Sequence, residues 1–232
     1  MHKGIFITGT DTGVGKTYAT AGLLSAMKKM GLNSCPMKPV ETGCDIQKGK
    51  LIPQDAITLV NASGVSEPLD VINPYRFRHP LAPSVAAEME KIAIKKQKIF
   101  SAYRSLLNKY DITIVEGAGG IMTPIYKKYL FLDLIKNLGL PVIIVSKPVL
   151  GTINHTLLTI EAARSRKINI HGVIINNACR TKKGTAEKTN PEIIEYLGRV
   201  PVLGVVPYSK NPASPLTEKI FIRIAEKILS CL

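Results

Sequence analysis

The sequence predicts an α/β fold: a doubly wound, mostly parallel sheet with helices on both faces. Three observations carry this. Buried-looking apolar strands alternate with helical patterns from end to end, as in a parallel sheet covered on both sides. A glycine-bearing turn, Gly9-Thr10-Asp11-Thr12-Gly13-Val14-Gly15-Lys16-Thr17, joins the first apolar run to the first helical stretch. Pro and Gly mark turns rather than a linker and no internal repeat is visible, so residues 1–232 are expected to form one domain.

The elements follow in order. Strand Ile5–Thr8 enters the glycine turn, and helix Lys16–Met30 leaves it. The apolar run Ser34–Pro39 is the second strand, followed by a loop and a helix near Gln54–Ala62. An irregular segment runs through Asn73-Pro-Tyr-Arg-Phe-Arg-His-Pro80, then come helices near Pro83–Glu90 and Lys95–Lys109. Strand Ile112–Glu116 leads to a glycine-rich loop, a short helix near Phe131–Leu138, strand Val142–Ser146 and helix Ile153–Arg166. Strand His171–Ile175, a polar loop, a helix near Pro191–Leu197, strand Val202–Val206 and a helix near Thr217–Leu229 complete the pattern. In such sheets ligands bind at the carboxyl ends of the strands, and every motif below falls on that edge.

The first turn is a phosphate-binding loop of the phosphate-loop NTPase type. Glycines let backbone N–H groups close around phosphate oxygens, and the helix start adds positive potential. Lys16 reaches the terminal phosphates, and the Thr17 hydroxyl suits a Mg²⁺ position. Five residues separate Gly9 from Gly15 where the common loop has four, so Thr10 stands at the usual first glycine.

Other residues on this edge are less specific alone. Glu116 ends an apolar strand before Gly117-Ala-Gly-Gly120, where a carboxylate can hold Mg²⁺ and small residues let a ligand approach. Lys38, late in an apolar strand, either points toward phosphates or an acidic substrate or snorkels to water. Asp55 reads first as an early-turn helix acid and second as a metal carboxylate. Gly151-Thr-Ile-Asn-His155 is a helix start that either receives a carboxylate or is ordinarily capped. Asn176 and Asn177 suit a purine through amide hydrogen bonds, and equally suit a loop.

Composition narrows the classes. With 232 residues, 45% of them hydrophobic, the chain can bury a large core, and no apolar run approaches the roughly 18 residues of a membrane span. Met1-His-Lys-Gly shows no signal-peptide pattern, so a cytosolic, cytoplasmic protein is expected. Cys35, Cys44, Cys179 and Cys231 are scattered and read as reduced thiols, with Cys35 in the core and Cys231 exposed and oxidisable. The formal charge is +14, concentrated at Lys91 to Lys109 and Arg180 to Lys188. With no Trp and no interleaved aromatics, a solvated basic face is favoured over a nucleic-acid site.

Together these residues make the chain resemble the dethiobiotin synthetases, ATP-dependent carboxylases of biotin biosynthesis. The likeness runs nearly end to end: Thr8 to Thr17 with its five-residue spacing, Lys38-Pro-Val, Thr42-Gly43, Asp55-Ala56, Asn73-Pro-Tyr75, Glu116 to Gly120, Leu150 to His155, and Gly204 to Tyr208. The resemblance implies that 7,8-diaminononanoate, CO2 and ATP give dethiobiotin, ADP and phosphate. It implies that Gly13, Val14, Gly15, Lys16, Thr17 and Tyr18 contact the nucleotide phosphates, with Gly117, Ala118 and Gly119 alongside. Thr17, Asp55 and Glu116 would hold Mg²⁺. Lys38 and Lys16 would be catalytic, Thr42 would touch the substrate, and Asn176, Asn177, Pro207, Tyr208 and Ser209 would face the adenine. It further implies a homodimer, with the substrate carboxylate at the helix start Gly151 to Asn154 of the neighbouring copy.

Several positions depart from the family pattern. Gly13 replaces a glutamate of some members, and Thr42 stands for a serine. The segment Thr181 to Pro191 lacks a substrate-touching tyrosine, and Asn211 to Ser214 lacks an acid used near the nucleotide sugar. A different class shares the scaffold: partition and septum-positioning ATPases, which act on membranes or DNA. Their signature lysine would fall at Asp11, which argues against them, although the basic, apolar stretch Lys219–Leu229 could lie on a membrane. The amidotransferase-type cobyrinate ligases are usually longer and carry a Cys–His glutaminase site that this chain has no room for. Partners are therefore expected to be small molecules, with no nucleic acid and no membrane.

Overall fold

The computed structural model describes residues 3–177 and 184–232. Six strands form the central sheet: β1 (Lys3–Gly9), β2 (Ser34–Met37), β3 (Ile112–Gly120), β4 (Val142–Ser146), β5 (Ile170–Asn176) and β6 (Val202–Val206). Their spatial order is β6-β5-β4-β1-β3-β2, and every pairing is parallel. Side chains alternate between the two faces of each strand. Thus Phe6 packs into a core with Met37, Val115 and Phe131, while its neighbours Ile5 and Ile7 face the opposite core with Leu23, Ile143 and Phe221. The expected doubly wound architecture is the one observed.

Phe131–Leu138, Val142–Ser146 and Val202–Val206 have the expected bounds. The C-terminal helix Pro215–Leu229 buries Phe221, Ile224, Ala225 and Ile228 against the sheet, so its apolar face is already covered. No helix among the described residues is long and apolar enough to cross a membrane.

Most other element ends shift by a residue or two, and four differences from the sequence reading have a clear physical reason. The glycine-rich run after Glu116 is not a loop: β3 continues through Gly120, which pairs with Gly9 after a register shift. Small residues let the phosphate loop lie directly along it. The second strand stops at Met37 rather than Pro39, because the Lys38 N–H leaves the sheet and donates to Ile72 O at 2.8 Å. The segment expected to be irregular contains a strand, Tyr75–Phe77, which pairs in parallel with Val40–Thr42. Three residues are too few for a periodicity to show. The helix expected from Pro191 begins at Thr185 and holds that proline inside it. The Glu187 side chain accepts the Gly184 N–H at 2.8 Å and sets this earlier start.

Two antiparallel hairpins, Asp45–Gln47 with Lys50–Ile52 and Pro124–Tyr126 with Tyr129–Leu130, were not expected. Cys35 and Cys44 are buried free thiols and Cys231 is exposed. Cys179 lies outside the described residues, as does Thr181 of the segment expected to lack the substrate tyrosine.

Candidate active site

The phosphate loop bridges β1 and helix Lys16–Lys29. Gly15 precedes the helix with φ 87°, a left-handed conformation that favours glycine. No side chain caps this helix and no acid sits in its first turn, so its first N–H groups remain for an anion. Lys16 folds back over the loop and donates to Asp11 O at 3.1 Å. Burial, and next the neighbouring Lys38 charge, lower its ammonium from 10.5 to about 8. The Tyr18 ring packs on Phe221, with centroids 6.2 Å apart.

Lys38 lies just past β2, 2% exposed, and turns inward. Its Nζ stands 2.6 Å from Glu116 Oε1, 2.7 Å from Asp55 Oδ2 and 3.3 Å from Gly117 O. Burial alone would lower this ammonium. The two carboxylates outweigh it and hold Lys38 above the ordinary lysine range. They receive the converse benefit: burial pushes the Asp55 carboxyl up, but Lys38 wins and holds it below its ordinary value. Thr17 Oγ1 donates to the same Glu116 oxygen at 2.8 Å.

The backbone at Lys38 is fixed by the Asn73-Pro-Tyr75 motif. Asn73 Nδ2 donates to Lys38 O at 2.6 Å, and Tyr75 N donates to Pro39 O at 3.3 Å. That motif therefore supports the lysine instead of lining the cleft. The cleft itself, of about 230 Å³, is lined by Gly13, Lys16, Thr17, Lys38, Thr42 and Asp55, together with Ala118, Gly119 and Glu41.

Glu41 is the residue that sequence reasoning missed. Its Oε1 accepts the Asp55 N–H at 2.8 Å and its Oε2 accepts the Ala56 N–H at 3.0 Å. Helix Gln54–Ser63 starts at a proline cap with no side-chain bond of its own, so Glu41 caps it from a neighbouring strand. The available signal was a carboxylate inside the short apolar run after Lys38, which must find donors when buried. Burial pushes this carboxyl from 4.5 up to about 7 despite the two N–H groups.

The sign follows from linkage. Folded Glu41 holds its proton more tightly than the unfolded chain does, so its contribution is complete below pH 4.5 and lost as pH rises through 7. Replacing Glu41 with Gln should remove that fall, worth at most about 3 kcal/mol. Chemical denaturation of both proteins between pH 4.5 and 8 checks it; parallel pH profiles would contradict the assignment.

The amides of both asparagine candidates for the adenine are engaged within the protein. Asn176 is 1% exposed and its Nδ2 donates to Val14 O at 3.1 Å, bracing the phosphate loop. Asn177 Nδ2 donates to Val206 O at 2.8 Å. Pro207, Tyr208 and Ser209 follow β6 on the same edge, with Tyr208 exposed. Gly151 and Asn154 are exposed at the start of helix Thr152–Ser165 and do not line the Lys38 cleft. That helix borders a separate cavity of about 450 Å³ with Thr10, Met122, His155 and Leu158.

The donor set fits a hard divalent cation. Thr17, Asp55 and Glu116 offer oxygen only, and Glu116 Oε2 is buried without a hydrogen-bond partner. No group of three or more His, Cys, Asp or Glu residues that could hold a metal ion occurs among the described residues, so the Thr17 hydroxyl has to complete this donor set.

Comparison with known proteins places the chain among relatives of one kind. A family model described as an AAA domain matches residues 3–215. The ATP-dependent dethiobiotin synthetase BioD of Thermodesulfovibrio yellowstonii is 46% identical over 90% of both chains. The enzyme of the same name from Methanocaldococcus jannaschii is 45% identical over 87% of this chain and 92% of its own. Among solved structures, the cell division ATPase MinD of Pyrococcus furiosus superposes with a TM-score of 0.62 at 18% identity over the whole of both chains. A ParA family ATPase from Chlorobium tepidum gives 0.62 at 15% identity over 97% of this chain and 99% of that one. At such low identity the last two likenesses speak for the fold alone.

Proposed function

The chain belongs to the ATP-dependent dethiobiotin synthetase family, and we propose that the cleft around Lys38 is where it closes a ureido ring on 7,8-diaminononanoate with CO2 and ATP. One amine adds to CO2 and loses a proton, giving a carbamate. A carbamate oxygen attacks the γ-phosphorus and ADP leaves. The second amine attacks the carbamoyl carbon, phosphate departs with the C–O bonding electrons, and a second proton is lost. Negative charge grows on the carbamate and the transferring phosphoryl group, so catalysis rests on positioned cations.

The observation that carries this reading is the inward Lys38, held against Glu116 and Asp55 beside Lys16 and an uncapped helix start. Lys16 and the N–H groups from Gly13 to Tyr18 hold the triphosphate, and Gly117 to Gly119 flank it. Lys38 meets the carbamate and the γ-phosphate, and Thr42 orients the substrate. Thr17, Asp55 and Glu116 hold Mg²⁺, which when bound neutralises phosphate charge. The adenine is assigned to the edge made by Asn176, Asn177 and Pro207 to Ser209. Backbone atoms carry most of those contacts, since both asparagine amides already donate to carbonyls.

The same reading includes a homodimer in the cytoplasm, with Gly151 and Asn154 of the neighbouring copy receiving the substrate carboxylate. Exposed Leu150, Leu158 and Met122, at 92%, 61% and 55%, support an apolar contact on that side. The test is ADP release coupled to mass detection of dethiobiotin, with diaminononanoate and bicarbonate each omitted in turn. Release that needs both, with product formed, supports the proposal. ATP hydrolysis that ignores the diamine and responds to lipid or DNA overturns it in favour of a partition-type ATPase.

A further inference from the structure

A third lysine faces the phosphate loop, and the roles assigned above do not use it. Lys147 directly follows β4 on the carboxyl edge of the sheet. A Cβ built on Gly13 would lie 4.0 Å from Lys147 Nζ, so the ammonium stands directly over the loop where a side chain is missing. Gly13 has φ 70°, a conformation that a side chain would strain. The backbone on either side of the lysine is pinned. Val145 O accepts the Thr10 N–H at 3.0 Å, and Pro148 O accepts Asn190 Nδ2 at 2.7 Å.

Charge accounting gives this lysine a purpose. Lys38 is paired with Asp55 and Glu116, and Lys16 is tied to the Asp11 carbonyl. Among the described residues Lys147 makes neither an ion pair nor a hydrogen bond, so its charge is matched by no carboxylate. A triphosphate brings several negative charges to a cleft in which Lys38 is balanced by two acids and Lys16 is tied to a backbone carbonyl. A cation set over the loop's backbone strengthens such binding most where phosphate charge is greatest.

We infer that Lys147 is a further nucleotide-binding residue, whose ammonium meets oxygens of the terminal phosphate across Gly13, and that the glycine is what admits it. This rests on the nucleotide lying in the loop as proposed above. The carbamate of the substrate is the other oxyanion within the same chemistry, and binding measured without the diamine separates the two.

The experiment is calorimetric binding of a non-hydrolysable ATP analogue and of ADP, each with Mg²⁺, to the full chain. Wild type is compared with Lys147→Ala, Lys147→Arg, Lys91→Ala as an exposed charge control, and Lys16→Ala. Melting curves establish that each variant is folded. The expected result is a loss of roughly 10-fold or more in analogue affinity for Lys147→Ala, a smaller loss for ADP, and substantial retention in Lys147→Arg. Lys91→Ala should bind as wild type. Lys147→Ala matching Lys91→Ala with both nucleotides overturns the inference. So does an equal loss for ADP and analogue, which would move the contact to the inner phosphates. Unchanged binding with lowered turnover would assign the lysine to the carbamate and likewise overturn it. If Lys16→Ala binds nucleotide normally, the underlying placement of the nucleotide fails, whatever Lys147 does.

Discussion

Replacing Lys38 with methionine should lower turnover by at least ~100-fold, the scale of a lost transition-state charge stabiliser, and should also destabilise the fold. The second effect separates this lysine from an ordinary surface cation. Glu116 is fully buried, its Oε2 has no partner, and Lys38 lies 2.6 Å from Oε1. Removing one member of a buried pair leaves a charge without compensation, which typically costs about 3–5 kcal/mol. Glu116 would retain only the Thr17 hydroxyl.

The deficit should depend on pH and on magnesium. Lys38 is what holds Asp55 below its ordinary value against burial, so the variant should fall furthest below wild type at about pH 8 and approach it toward about pH 4, the ordinary Asp range. Lys38 and a divalent ion draw on the same two carboxylates, Asp55 and Glu116. Mg²⁺ alone should therefore raise the melting temperature of the variant more than that of the wild type. Melting curves with and without Mg²⁺ at the two pH values check both statements. A variant as stable as wild type at pH 8 without Mg²⁺ would mean that the Lys38–Glu116 contact contributes little.

How much of this was legible in the sequence depends on the range of each interaction. Lys16, Thr17 and Glu116 were readable because each belongs to a local strand-end pattern. Asp55 and Lys38 were named with open alternatives, and their 2.7 Å contact links residues whose partnership no local spacing reveals. Glu41 went unread because capping depends on the strand Val40–Thr42 lying against the start of another helix. Asn73 was quoted as a motif, but its task of fixing the Lys38 carbonyl exists only once Tyr75–Phe77 pairs with Val40–Thr42. Sequence shows the amide groups of Asn176 and Asn177 and not their partners, which leaves purine contact and ordinary loop equally open. Composition alone makes the glycine run after Glu116 a loop, whereas pairing of Gly120 with Gly9 keeps it in the sheet.

Lys16 should behave in the opposite way to Lys38. Both are buried lysines within one cleft, but Lys16 has only the Asp11 carbonyl where Lys38 has two carboxylates. Burial lowers its ammonium from 10.5 to about 8, so holding Lys16 charged opposes folding at neutral pH by about 3 kcal/mol at most. Replacing it with methionine removes that penalty while keeping much of the apolar stem. The variant should then match or exceed wild-type stability at pH 7. Because folded Lys16 releases its proton before the unfolded chain does, wild-type stability should gain between pH 8 and 10.5, and the variant should lack that gain. Turnover should nonetheless fall at least ~100-fold, since the terminal phosphates lose the loop's own cation. Nucleotide binding by the wild type above pH 8 should take up a proton, as the phosphates restore the charge on Lys16. Calorimetry in two buffers of different ionisation enthalpy reads this directly. Proton-neutral binding at pH 9, or a destabilised methionine variant, would show that Lys16 is charged without strain before any phosphate arrives.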